Sequence, residues 1–347
     1  MTRWLVVANR GAVLRTGMST VTGQVIDALG SACSATIATD SLDHAGGVLL
    51  RVRALLGIWL TTARAGSHCQ ASYSTLSASW PGIVKNTLVL LPLILSRHRI
   101  VLHSHSGGFR AFYLGLPRWK KRVVRWLINR ATALIVVHPY YRNHFRFADT
   151  KVHAVINGCE DLRAPDRASS PEVRLLYLGN LIREKGLPEL LSAYAKLRAG
   201  DAEVRLTVAG APADMGPADL GNEIDYRGVV IATDEKARLI TESDLLVLPT
   251  RYRNEALPLV ALEALSAGTP VLCTPFRVLQ QIVTPGHNGW HCEADADSIA
   301  AAVRNFQALS DTEKAAIRAN CRDDWESNYT IGRFQQQVRE LLASLTA

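Results

Sequence analysis

The stretch LLVLPTRYRNEALPLVALEALSAGTPVLCT, residues 245–274, passes from one apolar β-rich run through a polar loop and an apolar helical segment into a second β-rich run. Short apolar runs bounded by turn residues read as strands buried on both faces, and strand–helix–strand alternation makes a parallel sheet. Working outward, RLLYLG (174–179), VRLTVAG (204–210), IDYRG (224–228) and PVLCT (270–274) supply further strands of the same kind. The N-terminal half alternates in the same way. Strands are expected at 4–9, 35–39, 71–74, 100–103 and 133–137, with helices at 18–29, 49–63 and 81–96. Two doubly wound α/β domains are therefore expected, each with its ligands outside the carboxyl ends of the strands.

A chain of 347 residues suits two cores of roughly 150–170 residues each. With 48% hydrophobic and 20% charged residues, the composition excludes disorder. Six cysteines without a C-x-x-C spacing indicate neither a zinc ribbon nor a disulfide framework, and fit a reducing compartment. No secretory leader is read at the start. The longest uncharged apolar run, 88–95, contains Pro92 and falls far short of the ~20 residues that span a bilayer. A cytoplasmic protein is expected, with a peripheral position on the inner membrane face left open.

The first 170 residues carry 21 Lys plus Arg against 7 Asp plus Glu, and the remainder 18 against 24, so the net charge of +8 is concentrated in the N-terminal half. Either that domain is simply soluble or it faces an anionic surface. Between 153 and 173 an Asn157–Gly158 turn, Pro165, Ser169, Ser170 and Pro171 read as an interdomain linker. The expected domains are 1–165 and 166–325, with a helix over 326–347 that has the option of returning to the first domain.

Glycine-terminated strands leading into helix starts suit a diphosphate, because a helix amino end offers unpaired N–H groups and partial positive charge. In LLYLGNLIREKG the strand ends at Gly179, and Arg183 and Lys185 precede Gly186. In NEALPLVALEAL, Glu255 lies in the loop ahead of Pro258, and Glu263 lies on the helix that Pro258 opens. Carboxylates only accept hydrogen bonds, which suits sugar and ribose hydroxyls.

Together these segments resemble the retaining glycosyltransferases of family 4, strongly over 174–302 and weakly across the N-terminal half. The resemblance implies the GT-B fold, two Rossmann-like domains facing a central cleft, with acceptor bound by the first domain and nucleoside diphosphate sugar by the second. It places Glu255 near the transferred sugar, Glu263 on the ribose and Lys185 on the phosphates. Gly17, Gly179, Arg183, Gly228, Leu257, Pro258 and Leu259 complete the donor set. Two positions depart from the pattern: Asn180 stands where arginine is common, and Arg277–Val278 where a Gly-Gly pair is common.

In RIVLHSHSGGFRAFY a strand runs into His103, His105, Gly107 and Gly108. This resembles the acceptor-domain histidine loop of a polysaccharide-forming branch of the family, with His105 nearest the reacting centre and His103 behind it; both remain open to a structural reading. Thr16–Gly17 stands where the family has Gly-Gly. No third ligand accompanies the histidines, so no metal is assigned. Asp295–Ser298, DADS, reads as a helix N-cap and not a metal motif. The basic segment 117–130 is either an anionic-membrane helix carrying Trp119 and Trp126 or a surface helix with its apolar stripe in the core.

The expected activity is transfer of a hexose from a nucleoside diphosphate sugar to a hydroxyl, in polysaccharide or lipid-linked glycan synthesis, with no cofactor beyond the sugar nucleotide and no nucleic-acid partner. The rivals are a GT-B phosphorylase or epimerase and a catalytically silent nucleotide-sugar-binding subunit.

Overall fold

The computed structural model describes residues 2–8, 17–39, 47–163 and 172–346, without the side chain of residue 48. It divides into unit 1, Met1–Asn157 with Ile331–Ala347, and unit 2, Gly158–Thr330. The expected boundary at 165/166 and Pro165, Ser169, Ser170 and Pro171 lie outside the described residues, as do Thr16 and Asn9.

Unit 1 runs β1 (Trp4–Ala8), α1 (Gly17–Leu29), β2 (Cys33–Ala38), α2 (Val48–Ser67), β3 (Ala71–Leu76), α3 (Trp80–Leu95), β4 (Arg99–Ser104), α4 (Phe109–Gly115), α5 (Arg118–Asn129), β5 (Ala133–Val136) and β6 (Val152–Ala154). The six strands are all parallel, in the order β2-β1-β3-β4-β5-β6. Every residue of β1, β3 and β5 is buried, as a sheet covered on both faces requires. His153 and Ala154 belong to β6, paired with Ile135 and Val136. The linker expected from residue 153 therefore begins later, after the sheet is complete. The last helix of the chain, α12 (Ile331–Ser344), lies against α1 and buries Phe334, Val338 and Leu342.

Unit 2 runs β7 (Val173–Leu178), α6 (Leu187–Ala199), β8 (Val204–Ala209), β9 (Asp225–Tyr226), α7 (Thr233–Thr241), β10 (Leu245–Leu248), α8 (Leu259–Ser266), β11 (Val271–Cys273), α9 (Leu279–Ile282), β12 (Gly289–His291), α10 (Ala296–Gln307) and α11 (Asp311–Asn328). Its parallel sheet has the order β12-β11-β10-β7-β8-β9. The chain winds outward from β7 to β9, then returns to β10 and winds the other way. The switch point between β7 and β10 is where such a sheet opens a crevice for ligands. Leu175, Tyr177, Leu206, Val208 and Val247 form the core with Leu190 of α6 and Phe306 of α10.

Strand ends follow backbone chemistry. β10 stops at Leu248 because Pro249 has no N–H to donate. β9 is only two residues long, as Gly228 turns the chain at φ +67°. Asp295 caps α10, its carboxylate accepting from Ser298 N–H at 2.8 Å. Among the described residues no helix is long and apolar enough to cross a membrane.

Candidate active site

At the switch point of unit 2 the loops after β7 and β10 touch. Gly186 has φ +80°, and a Cβ there would lie 2.1 Å from the carbonyl oxygen of Pro249, so only glycine fits. That contact fixes the one-turn helix Arg183–Lys185 beside the 249–257 loop. Lys185 Nζ reaches back over Gly179, 3.7 Å from where a Cβ would stand. It pairs with Glu255 Oε2 at 3.2 Å, with the two side chains only 23% and 16% exposed. An exposed pair contributes ~0–1 kcal/mol, whereas one part-withdrawn from water loses far more when a partner is removed. Tyr252 lies beneath, its ring centroid 5.6 Å from Lys185 Nζ.

Gly179 and Gly228 come together through Gly210, a residue that sequence reasoning did not single out. Gly210 N–H donates to the Gly228 carbonyl at 2.7 Å, and a Cβ on Gly210 would lie 1.9 Å from Gly179 O. Its signal was its place at the end of VRLTVAG, where a third strand ends in glycine.

Pro258 is the N-cap of α8; Leu257 and Pro258 are buried and Leu259 half-buried. Glu263 is 8% exposed, and its Oε1 accepts from Lys236 Nζ of α7 at 2.5 Å. Lys236 was also missed, because a lysine 27 residues from its partner leaves no local pattern. Arg183 and Asn180 are exposed; the Arg183 backbone N–H donates to Asp214 Oδ1 at 2.9 Å, and the Asn180 carbonyl accepts from Tyr177 Oη at 2.9 Å. Arg277 holds φ 54°, the region glycine favours. Its guanidinium donates to the carbonyls of Arg253 at 2.5 Å and Glu255 at 3.3 Å.

In unit 1 the candidates gather at the carboxyl end of β4. His103 is fully buried, with Nδ1 2.8 Å from Tyr73 Oη, and its ring centroid lies 4.0 Å from that of His105. Burial pushes the pKa of both histidines down, that of His105 to about 4. Two neutral imidazoles, tilted by 36°, approach where two cations could not. The Nε2 atoms of both are buried with no hydrogen-bond partner among the described residues. Such orphaned atoms are uncommon and call for an explanation. Gly107 and Gly108 are buried in the following turn, where Gly108 N–H donates to Ser106 Oγ at 3.1 Å. Gly17 is exposed as the first residue of α1. Among the described residues no three His, Cys, Asp or Glu side chains group to hold a metal ion.

Helix α5 buries Val124, Leu127 and Ile128 and leaves Trp119 and Trp126 outside, 57% and 38% exposed. Its apolar stripe is in the core and its tryptophans are not.

Two six-stranded parallel units, each with candidate ligand groups at the carboxyl ends of its strands, make this a GT-B fold. Sucrose-phosphate synthase from Thermosynechococcus elongatus superposes with a TM-score of 0.79 at 16% identity, covering 99% of each chain. Anabaena HepE in complex with UDP-glucose gives 0.75 at 16%, covering 99% of this chain and 100% of that one. Residues 160–322 match the family described as glycosyl transferases group 1. Glycogen synthase of Mycobacterium tuberculosis (strain H37Rv) is 29% identical over 255 residues, 69% of this chain and 59% of that protein. The chain thus spans less than two thirds of that relative's length.

Proposed function

We propose that this chain transfers a hexose from a nucleoside diphosphate sugar to a hydroxyl of a growing glycan, with retention of anomeric configuration and without a metal. The observation that carries this reading is the half-buried Lys185–Glu255 pair at the switch point of unit 2. In this reading the diphosphate takes Lys185 as its counter-ion, and the transferred sugar offers hydroxyls to Glu255. Positive charge placed where the leaving group becomes more negative stabilises the transition state, and one such donor is worth roughly 2.7–4 kcal/mol. Glu263 receives the ribose hydroxyls. Gly179, Gly228, Leu257, Pro258 and Leu259 offer close backbone approach, and exposed Arg183 a second cation.

Unit 1 then binds the acceptor, with His105 nearest the reacting centre and His103, Gly107 and Gly108 beside it; Gly17, at the start of α1, belongs with the donor contacts. A neutral imidazole with an orphaned Nε2 suits a hydroxyl, which both donates and accepts. The UDP-glucose complex of HepE and the polymer-forming relative support the donor class and the glycan product. The exposed tryptophans and cations of α5 support a seat on the anionic cytoplasmic face of a membrane.

The test is a thermal-shift panel of uridine, guanosine and adenosine diphosphate sugars with a chelator present, followed by turnover on a glycan acceptor. One nucleotide sugar at 100 times its Kd stabilises the protein by about 2.7 kcal/mol. No shift with any of the three overturns the reading; a shift without hydrolysis or transfer makes the chain a silent binding subunit.

A further inference from the structure

A second candidate ligand region lies in unit 1, one strand across from the histidine loop, where Thr75 of its lining pairs with His103. Helices α2 and α3 both start at the carboxyl end of their sheet, and between their first turns runs a groove of about 690 Å³. Ligand sites are typically roughly 300–1,000 Å³. Its walls are Val52 and Leu55 on one helix and Trp80, Val84 and Leu88 on the other. Val52, Val84 and Leu88 are 47%, 37% and 39% exposed, and Leu49, Leu50 and Leu56 continue the apolar face of α2 outward. Contiguous apolar patches of this kind mark binding or membrane surfaces.

The groove does not end blindly. Ser77 and Lys85 line both it and a smaller pocket of about 140 Å³ that also contains Ala8, Thr39 and Ser74. That pocket sits between the ends of β1 and β3, where the winding of this sheet reverses and a polar ligand group is expected. At the junction the backbone is fixed by buried Asn86, which accepts from Ser77 N–H at 3.0 Å and donates to the Thr75 carbonyl at 2.9 Å.

We infer that this paired pocket and groove bind one amphiphile, an anionic head at Ser77 and Lys85 and a long aliphatic or isoprenoid chain between α2 and α3. Charge complementarity selects the anionic lipid. Residues 44–148 contain fifteen Lys or Arg and no Asp or Glu; Arg51 stands on the groove wall, and Lys120 Nζ sits 4.6 Å over the Trp80 ring. If the chain is a glycosyltransferase, this amphiphile is the carrier of its acceptor; that role rests on the reading above, whereas the binding does not.

The probe is farnesyl monophosphate below its micelle concentration, titrated into the full chain by calorimetry beside farnesol, inorganic phosphate and anionic phospholipid vesicles. Farnesyl phosphate should bind, and Leu88→Asp and Val52→Asp, both at exposed positions, should each weaken it at least tenfold with unchanged melting. Lys85→Gln should bring farnesyl phosphate down to the affinity of farnesol. Equal binding by native and variant chains, equal binding of inorganic phosphate, or binding to vesicles alone would each overturn the inference. The nucleotide-sugar shift is read in the same samples. If it is absent while farnesyl phosphate binds, the transferase reading fails and the amphiphile site stands.

Discussion

Units 1 and 2 share an all-parallel six-stranded plan and differ in what they leave exposed and what they pair. Unit 2 places its charges in pairs: Lys185 with Glu255, Lys236 with Glu263, Arg322 with Asp161, and Asp244 between Arg174 and Arg318. Its exposed large apolar side chains among the described residues are Val229 and Ile231. Unit 1 stacks no such pairs at its histidine loop, where the Nε2 atoms of His103 and His105, like that of His291 in unit 2, have no hydrogen-bond partner among the described residues, and it exposes Leu49, Leu50, Val52, Leu56, Leu60 and both α5 tryptophans. A sheet topology therefore says where a ligand can sit and nothing about its chemistry. Paired charges that a donor can reorganise suit a small anionic co-substrate; neutral rings beside open apolar helices suit something larger and greasier.

The contrast breaks most readily at Lys185. Lys185→Ala should cut turnover 10²–10³-fold, about 2.7–4 kcal/mol, and also lower the melting temperature, because it takes the cation from the part-buried Glu255. A loss under tenfold in steady-state kinetics would return the Lys185–Glu255 pair to the status of an ordinary ion pair. Next in size is Glu263→Ala, expected to weaken nucleotide-sugar binding by ~1.5–3 kcal/mol, measured by calorimetry. Lys236→Ala separates structure from binding. It leaves a buried carboxylate without its partner and should lower stability in urea titrations; a variant as stable as the native chain would show that the pair contributes nothing.

Acid should sharpen the contrast. His103 and His105 have pKa values lowered by burial, His105 to about 4, against ~6.5 unfolded. Their contribution is full above the unfolded value and lost as pH falls toward the folded one, at up to ~1.4 kcal/mol per pH unit for each. In unit 2, the hydrogen bond from Arg322 holds the Asp161 carboxyl low. The Asp225 carboxyl, despite burial, is held low by Arg227 and Arg205. These carboxylates contribute fully above ~3.9, their unfolded value, and lose that only below it. Between pH 6.5 and 4.5, hydrogen-exchange protection, taken relative to the intrinsic rate at each pH, should therefore fall in unit 1 first, and His105→Asn should flatten that dependence. Parallel loss in both units would contradict the assignment. The smallest effect is expected at Arg277→Gly. Glycine relieves about 1–2 kcal/mol of left-handed strain and removes the guanidinium from the carbonyls of Arg253 and Glu255. Melting should hold or rise while kcat falls about three- to tenfold with an unchanged donor KM. That split is one a merely stabilising role would not give; the fold change follows from a ~1 kcal/mol hydrogen bond.

The strands were legible because a parallel sheet buried on both faces must be written in apolar runs, as in LLVLPT and RIVLHS. Lys185, Glu255 and the β4 histidines were singled out by the family resemblance and by their place after strands, and the structure brings Lys185 to Glu255 and His103 to His105. Partners were not. Tyr73 stands 30 residues from His103, and the need for glycine at 186 and 210 appears only when Pro249 and Gly179 close on them. Arg277 reads as a departure from a Gly-Gly pair, yet its backbone keeps the glycine-like conformation and its side chain finds new work. Helix α2 was legible as a helix but not in what it covers: four of its five leucines, Leu49, Leu50, Leu56 and Leu60, are exposed.

One feature of the chain's path governs how the molecule is made. Unit 2 occupies 158–330, and α12, the last helix of unit 1, follows it. On the ribosome the middle unit can close while the outer one still waits for its final piece, reversing the usual N-terminal-first order. Until Phe334, Val338 and Leu342 emerge, the face of α1 against which their helix lies is open to chaperones, and a stall ahead of α12 would leave a finished unit 2 joined to an unfinished unit 1.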